Sequence, residues 1–309
     1  MDTQQIQELL NRVPGWEGRA HVVHALDGGI TNRNLLIAVE TEQFVLRLAG
    51  ADTHLLEIDR SAELEAASRA AGLGIAPEVT AFLEPEGYLI TRFVAGKSPS
   101  STHIKEPSIL AAICGHLRAF HDGIALANDF GAFEVPYLHR ASALSRGVAI
   151  PDEFTSAAES ASQIAAAFAS SPEPKRPCHN DLLCANFLVD ANNAHHVWLL
   201  DWEYAGNNDR YFDLGNLSVN NEFDESDRER LLRSYFGSVN ARRSGRLELM
   251  MIMSDFREAM WAVVQQGISA LDFDFREYSA KHFERMLSAA TGRHFKALLA
   301  NAAGGIPDA

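Results

Sequence analysis

The chain predicts an α+β fold in two lobes, an antiparallel sheet with one helix followed by a larger, mostly helical part. Three observations carry this. Short apolar and β-branched runs dominate the first ninety-odd residues, apolar residues at helical spacing dominate the rest, and a Gly/Pro/Ser-rich stretch, Ala95-Gly96-Lys97-Ser98-Pro99-Ser100-Ser101, separates the two. The expected domains are 1–95 and 96–309. A chain of 309 residues has room for about two domains of roughly 150 residues, and 47% hydrophobic composition is ample for their cores.

In the first lobe HVVHAL (21–26), NLLIAVE (34–40) and FVLRLAG (44–50) read as an antiparallel meander, with turns at 27–33 and at Thr41-Glu42-Gln43. Residues 57–74 repeat Ala and Leu at helical spacing and stop at glycine. VTAFL and GYLITRFV, joined by Glu84-Pro85-Glu86, close the sheet as a hairpin. Beyond the linker, helices are expected over 106–121, 153–170, 213–220, 226–236, 246–270 and 276–290.

Charge narrows the function. Lys+Arg 27 against Asp+Glu 41 leaves a net charge of −14, which argues against a nucleic-acid partner and suits a cationic one. Cys114, Cys178 and Cys184 are odd in number and lack CxxC spacing, so they form neither a disulfide framework nor a zinc site. MDTQQIQELLNRV has no basic start and no apolar core of the signal-peptide kind. No run reaches the roughly 18 apolar residues of a membrane span. A soluble cytoplasmic protein without membrane insertion is expected, and oligomeric state leaves no mark on the sequence.

Chemistry concentrates at 178–201, CHNDLLCANFLVDANNAHHVWLLD. The polar start follows a Pro-rich segment and reads as a loop entering the strand FLVD. Asn192-Asn193 turns the chain, and HHVWLLD returns as the partner strand. Such a hairpin brings Asn186 and Asp201 to neighbouring edges, where two oxygen ligands suit magnesium on nucleotide phosphates. Asp181 is the carboxylate that an attacking hydroxyl requires. Phosphoryl transfer needs these three parts.

Together with DWEYAGNNDRYFDLGN (201–216), HNDLLCAN resembles the choline/ethanolamine kinase branch of the aminoglycoside-phosphotransferase-like kinases, and the resemblance covers about residues 26–283. It implies a protein-kinase-like two-lobe fold that uses ATP and Mg2+, with Asp181 as the catalytic-loop aspartate, Asn186 and Asp201 as the magnesium ligands, and Asp213 as a buried brace. His179 is expected as a loop brace too. Gly28, Gly29, Thr31 and Asn32 match the family's GG-x-[TS]-N loop, where bare backbone can approach phosphate oxygens. Arg47 stands where protein kinases place the phosphate-binding lysine, and an always-charged planar fork suits that contact. Glu63 is expected to pair with Arg47; Glu65 competes, and only one of the two can face inward. Adenine is expected at the hinge, residues 90–95, on backbone groups around Arg92 and Val94.

The acceptor pocket is expected from 254–283. Trp261 and Tyr278 match aromatic positions of the choline-kinase pocket, where a ring face holds an alkylammonium; Phe275 matches one too but reads as core. Glu203, Tyr204 and Glu258 are candidate acceptors for a cation, with Glu222 and Asp255 behind them. Two departures stand out: Glu258 replaces a second cage Trp, and Asn220 replaces a glutamate. Loss of an aromatic wall weakens the case for a quaternary ammonium relative to a primary amine. The resemblance therefore implies a kinase for a small cationic amino alcohol such as choline or ethanolamine. The alternatives are a same-fold kinase for an aminoglycoside, thiamine or sugar, and a non-catalytic nucleotide-binding pseudokinase. Asp181 either takes the hydroxyl proton or orients the hydroxyl.

Overall fold

In the computed structural model, which describes residues 2–26, 33–50 and 53–304, the expected meander and hairpin join into one antiparallel sheet. Its order is β1 (Ala20–Leu26), β2 (Arg33–Val39), β3 (Glu42–Leu48), β5 (Tyr88–Arg92), β4 (Val79–Leu83). Register sets Leu35 opposite Leu46 and Ile37 opposite Phe44, so alternation delivers these four to one face. Helix α1 (Thr3–Leu10) covers that face with Ile6, Leu9 and Leu10, and Val13 and Trp16 complete the small core. No helix is expected from the polar N-terminal sequence. It forms because Asp2 and Gln5 make a capping box and because the sheet supplies an apolar surface to bury against.

Helix α2 (Arg60–Gly72) begins three residues later than the spacing suggests. Glu57 takes a left-handed φ of 61°, and Asp59 accepts from the amides of Ser61 and Ala62, which makes it the cap. Its Ala66, Ala67 and Ala70 join the larger core together with Leu89 of the sheet. The stretch expected as a linker is tied down: Gly96–Lys97 forms β6 and pairs with β8 (Phe187–Asp190), which pairs in turn with β9 (Val197–Leu199). Only glycine fits at 96, since a Cβ there would lie 2.4 Å from the Val189 carbonyl oxygen.

The remaining chain is largely helical: α3 (Ser101–Ile104), α4 (Pro107–His121), α5 (Val135–Ser145), α6 (Glu153–Ser170), α7 (Arg210–Asn220), α8 (Glu225–Phe236), α9 (Ala241–Ile268), α10 (Phe275–Thr291) and α11 (Phe295–Ala303). Two short strands, β7 (Arg176–Cys178) and β10 (Gly206–Asn208), pair antiparallel and bracket the hairpin of β8 and β9. Helices α5 and α11 are additions to the expected set. Each is held by packing on α9. That 28-residue helix is buried almost all round from Leu247 through Gln265 and packs against α5, α7, α10 and α11. Among the described residues no helix is long and apolar enough to cross a membrane.

Helices α7 and α9 meet at Gly215, where an added Cβ would come within 2.7 Å of the Met250 carbonyl carbon and 2.8 Å of the Met251 nitrogen. Both are backbone atoms that cannot swing aside. Gly215→Ala should therefore destabilise the fold by about 1–3 kcal/mol through overpacking, measured by urea unfolding. An unchanged midpoint would show that the two helices part freely.

Candidate active site

The chain leaves β7 at Cys178, runs through residues 179–183, makes a 3-10 turn at Cys184–Asn186 and enters β8. Asn180 sits at φ 66° and Asp201 at φ 65°, a left-handed conformation that costs a non-glycine residue of order 1–3 kcal/mol. Buried hydrogen bonds offset that cost. Asp213 of α7 accepts from the backbone amides of His179 (2.8 Å) and Asn180 (2.7 Å) and from His121 Nε2 (2.9 Å). Burial opposes its ionisation, yet His121, His179 and the His179 amide hold its pKa below the ordinary carboxylate value. His179 Nε2 donates to the Leu200 carbonyl at 2.9 Å, which braces the loop against the strand leading to Asp201. Asn216 accepts from the Leu182 amide and donates to Ser254 at 2.9 Å. His121, Cys178 and Asp213 hold ligand-type atoms within 4.8 Å of one another, but burial pushes the Cys178 thiol well up and the carboxylate is already saturated. This cluster is a brace, not a metal site.

Asp181 has both oxygens engaged. Asn186 Nδ2 donates to Oδ2 at 3.0 Å and to the Asp181 carbonyl at 2.7 Å, and Arg257 Nη1 lies 3.0 Å from Oδ1. With its amide nitrogen committed, Asn186 keeps Oδ1 for a metal. The Leu200 amide donates to the Asn186 carbonyl at 2.8 Å, so the hairpin sets Asn186 beside the segment carrying Asp201.

Arg47 on β3 meets Glu63 at 2.5 Å through Nη1, and Asp201 and Glu203, each at 2.6 Å, through Nη2. Arg60 reaches Glu63 at 2.6 Å and Glu203 at 3.1 Å. Glu65 faces elsewhere, pairing with Arg69 and accepting from the Ala127 amide. Arg92 lies away from this cluster, 45% exposed on the sheet, bound to Glu42 and Glu78 with its guanidinium over Phe44. Val94 is half-buried in the strand-to-strand link. Gly28, Gly29, Thr31 and Asn32 lie outside the described residues.

Glu258 accepts from Arg257 Nη1 and, at 3.0 Å, from the Tyr278 hydroxyl. Trp261 Nε1 donates to the Tyr204 hydroxyl at 3.1 Å, and the Arg257 guanidinium stacks 4.2 Å from the centre of the Tyr204 ring. The Trp261 ring lies 6.0 Å from Tyr278 and 5.9 Å from the buried Phe275. Glu203 is drawn to the Arg47 and Arg60 side of the cluster. Asp255 is consumed by Arg285 and His282, and Glu222 is exposed. Arg60 and Arg257 were missed in the sequence. Their signals were spacing: Arg60 precedes Glu63 by three residues and Arg257 precedes Trp261 by four, which puts each pair on one helix face.

Among the described residues, Arg47, Arg60 and Arg257 face Glu63, Asp181, Asp201, Glu203 and Glu258, three positive charges against five negative. Burial first, with Glu258 and Glu203 adding to it against Arg257, pushes Asp181 up to about 6. Burial likewise raises Asp201, with Glu203, Glu63 and Asp181 working against Arg47. Its side chain is still 29% exposed, so solvent moderates the rise. Two surplus negative charges on oxygen donors fit a divalent hard cation.

Residues 22–247 match the profile of the phosphotransferase enzyme family. The chain belongs to that family, and it is an enzyme, a small-molecule kinase with a protein-kinase-like α+β fold. Ethanolamine kinase 2 of Rattus norvegicus is 26% identical over 313 residues, covering 88% of this chain and 77% of that protein. Among solved structures, a choline/ethanolamine kinase family protein from Mesorhizobium loti aligns with a TM-score of 0.82 at 29% identity, over 99% of this chain and 100% of that one. The choline kinase LicA from Streptococcus pneumoniae aligns at 0.77 and 21% identity, over 93% and 98% respectively, and shares the fold.

The folded pKa of Asp181 lies above the unfolded value of about 4, so the folded chain holds that proton more tightly. Its contribution to stability is full below about pH 4 and is lost as pH rises through about 6. Metal-free protein should lose thermal stability across this window, and Asp181→Asn should flatten the slope. Identical pH slopes for the two proteins would refute the assignment.

Proposed function

We propose that the chain transfers the γ-phosphoryl group of ATP, in a magnesium-dependent reaction, to the hydroxyl of a small cationic amino alcohol of the choline or ethanolamine kind. The observation that carries this reading is Asp181, held rigidly between Asn186 and Arg257 and next to the Tyr204, Trp261, Tyr278 and Glu258 group. Asp181 sits at the acceptor hydroxyl, either taking its proton or orienting it for in-line attack. The bond from the γ-phosphorus to the β-phosphate bridging oxygen breaks, the bond to the acceptor oxygen forms, and ADP leaves. Asn186 and Asp201 would hold a magnesium ion, which supplies charge neutralisation on the triphosphate. Arg47, anchored by Glu63, presents a fixed cation to the phosphates. Gly28, Gly29, Thr31 and Asn32 are assigned to the phosphates on sequence grounds, and the backbone around Arg92 and Val94 to adenine.

Support for the acceptor class comes from the Trp261 face, where an ammonium gains about 0.5–2 kcal/mol, and from the Glu258 carboxylate at the Tyr278 hydroxyl. The names of the relatives point the same way. In this reading, residues 1–95 form the nucleotide-binding lobe and 96–309 the catalytic and acceptor-binding lobe, and the enzyme works in the cytoplasm, where ATP is supplied.

Asp181→Ala should lower turnover by about 10²–10⁴-fold while nucleotide still binds, whereas Asp201→Ala should also weaken metal–nucleotide binding. A coupled ADP-release assay with choline, ethanolamine, thiamine and an aminoglycoside reads the first, and calorimetry reads the second. Acceptor-stimulated turnover that survives in Asp181→Ala, or that is absent for every acceptor with the intact chain, would sink the proposal.

A further inference from the structure

We infer that Arg257 is a positioning residue for phosphoryl transfer: it sets the carboxylate plane of Asp181 toward the acceptor hydroxyl and is itself set by the aromatic group around the amine. The inference rests on the kinase reading above and assigns one more residue of that same site.

The need for such a residue lies in Asp181. The last torsion of an aspartate is broad and nearly twofold, so a single hydrogen bond leaves the carboxylate plane free to turn. Asn186 gives the carboxylate only one bond, 3.0 Å from Nδ2 to Oδ2, and spends its other on the Asp181 carbonyl. Arg257 gives the second, 3.0 Å from Nη1 to Oδ1. Two donors on two oxygens define a plane, and each carboxylate oxygen still has a lone pair for the acceptor hydroxyl. Asp213 directs the backbone that leads into Asp181, and Arg257 directs the side chain.

A loose arginine could not do this. The Arg257 guanidinium lies 4.2 Å from the centre of the Tyr204 ring, and Nη1 also pairs with Glu258. Each of these partners is held in turn. The Tyr204 hydroxyl accepts from Trp261 Nε1 at 3.1 Å, and Glu258 accepts from the Tyr278 hydroxyl at 3.0 Å. Arg257, Glu258 and Trp261 all stand on α9, whereas Asp181 stands on a loop, and side chains carried by a packed helix are placed more precisely than those carried by a loop. Arg257 is 2% exposed, and a cation buried that far is costly unless it is paired, as it is here by Asp181 and Glu258. Two carboxylates against one guanidinium leave one negative charge. Arg257 therefore aims Asp181 without turning the pocket against an ammonium.

The full chain with Mg2+, ATP and ethanolamine or choline, whichever is turned over, tests this. Arg257→Met keeps most of the bulk and loses the donor, and should lower kcat by about 10–100-fold, the loss expected of a misaimed reacting group. The acceptor KM, and the Kd of Mg2+ with a non-hydrolysable ATP analogue by calorimetry, should stay within about threefold, because what is lost acts on the transfer and not on binding. In an Asp181→Asn background the same substitution should change single-turnover rates by less than about threefold, since residues that act as a unit are not additive. If Arg257→Met does not fold by circular dichroism, Arg257→Lys, which loses the planar group on Tyr204, supplies the same comparison in both backgrounds. An unchanged kcat, a loss carried by KM in its place, or equal losses in the two backgrounds would overturn the inference while the kinase reading stands. If the intact chain turns over no amino alcohol, the kinase reading fails and the inference with it.

Discussion

The carboxylate of Asp213 is the constraint from which the loop of residues 179–183 hangs. It is buried at 0% exposure and takes two consecutive backbone amides, those of His179 and Asn180, together with the His121 ring. Two adjacent amides can converge on one carboxylate only if the chain between them bends sharply, and Asn180 supplies that bend in the left-handed region. Asp181 is the next residue. Its direction therefore follows from a bond made at another residue on another helix, and α7 can hold that bond only because Gly215 lets it press against α9.

Around this brace the molecule accepts electrostatic strain at the proposed site. Five carboxylates share three guanidiniums, and burial leaves Asp181 and Asp201 with raised pKa values. A site optimised for its own stability would balance these charges. Surplus negative charge instead makes the empty site less stable and the occupied one more so, which is how buried charge becomes binding energy for a cation. Arg47 shows the same economy: burial works against its charge, but Asp201, Glu63 and Glu203 hold its pKa above the usual value, so it stays cationic.

Much of this was legible before any coordinates. The period-two runs marked the strands, the period of 3.6 marked most helices, and HNDLLCAN with DWEYAGNNDRYFDLGN marked the phosphotransferase chemistry. Helices α1, α5 and α11 were not legible, because each is short, with 8, 11 and 9 residues, and is stabilised by the surface it lands on. The stretch 95–101 looked like a loose connection, since glycine and proline signal irregular backbone. Nothing local records that Gly96 must lie against Val189 to let β6 pair.

Sequence by itself determined much of the local order: the strands of the first sheet, most of the long helices, and that Asp181, Asn186 and Asp201 lie in one short segment around a hairpin. Neighbouring residues write such features through spacing. Tertiary structure alone decided the long-range pairs. It drew Glu203 to the Arg47 and Arg60 side and set Arg257 against an aspartate 76 residues away. The physical reason is that attraction between charges depends on distance through space and on burial, and neither exists until the elements have packed.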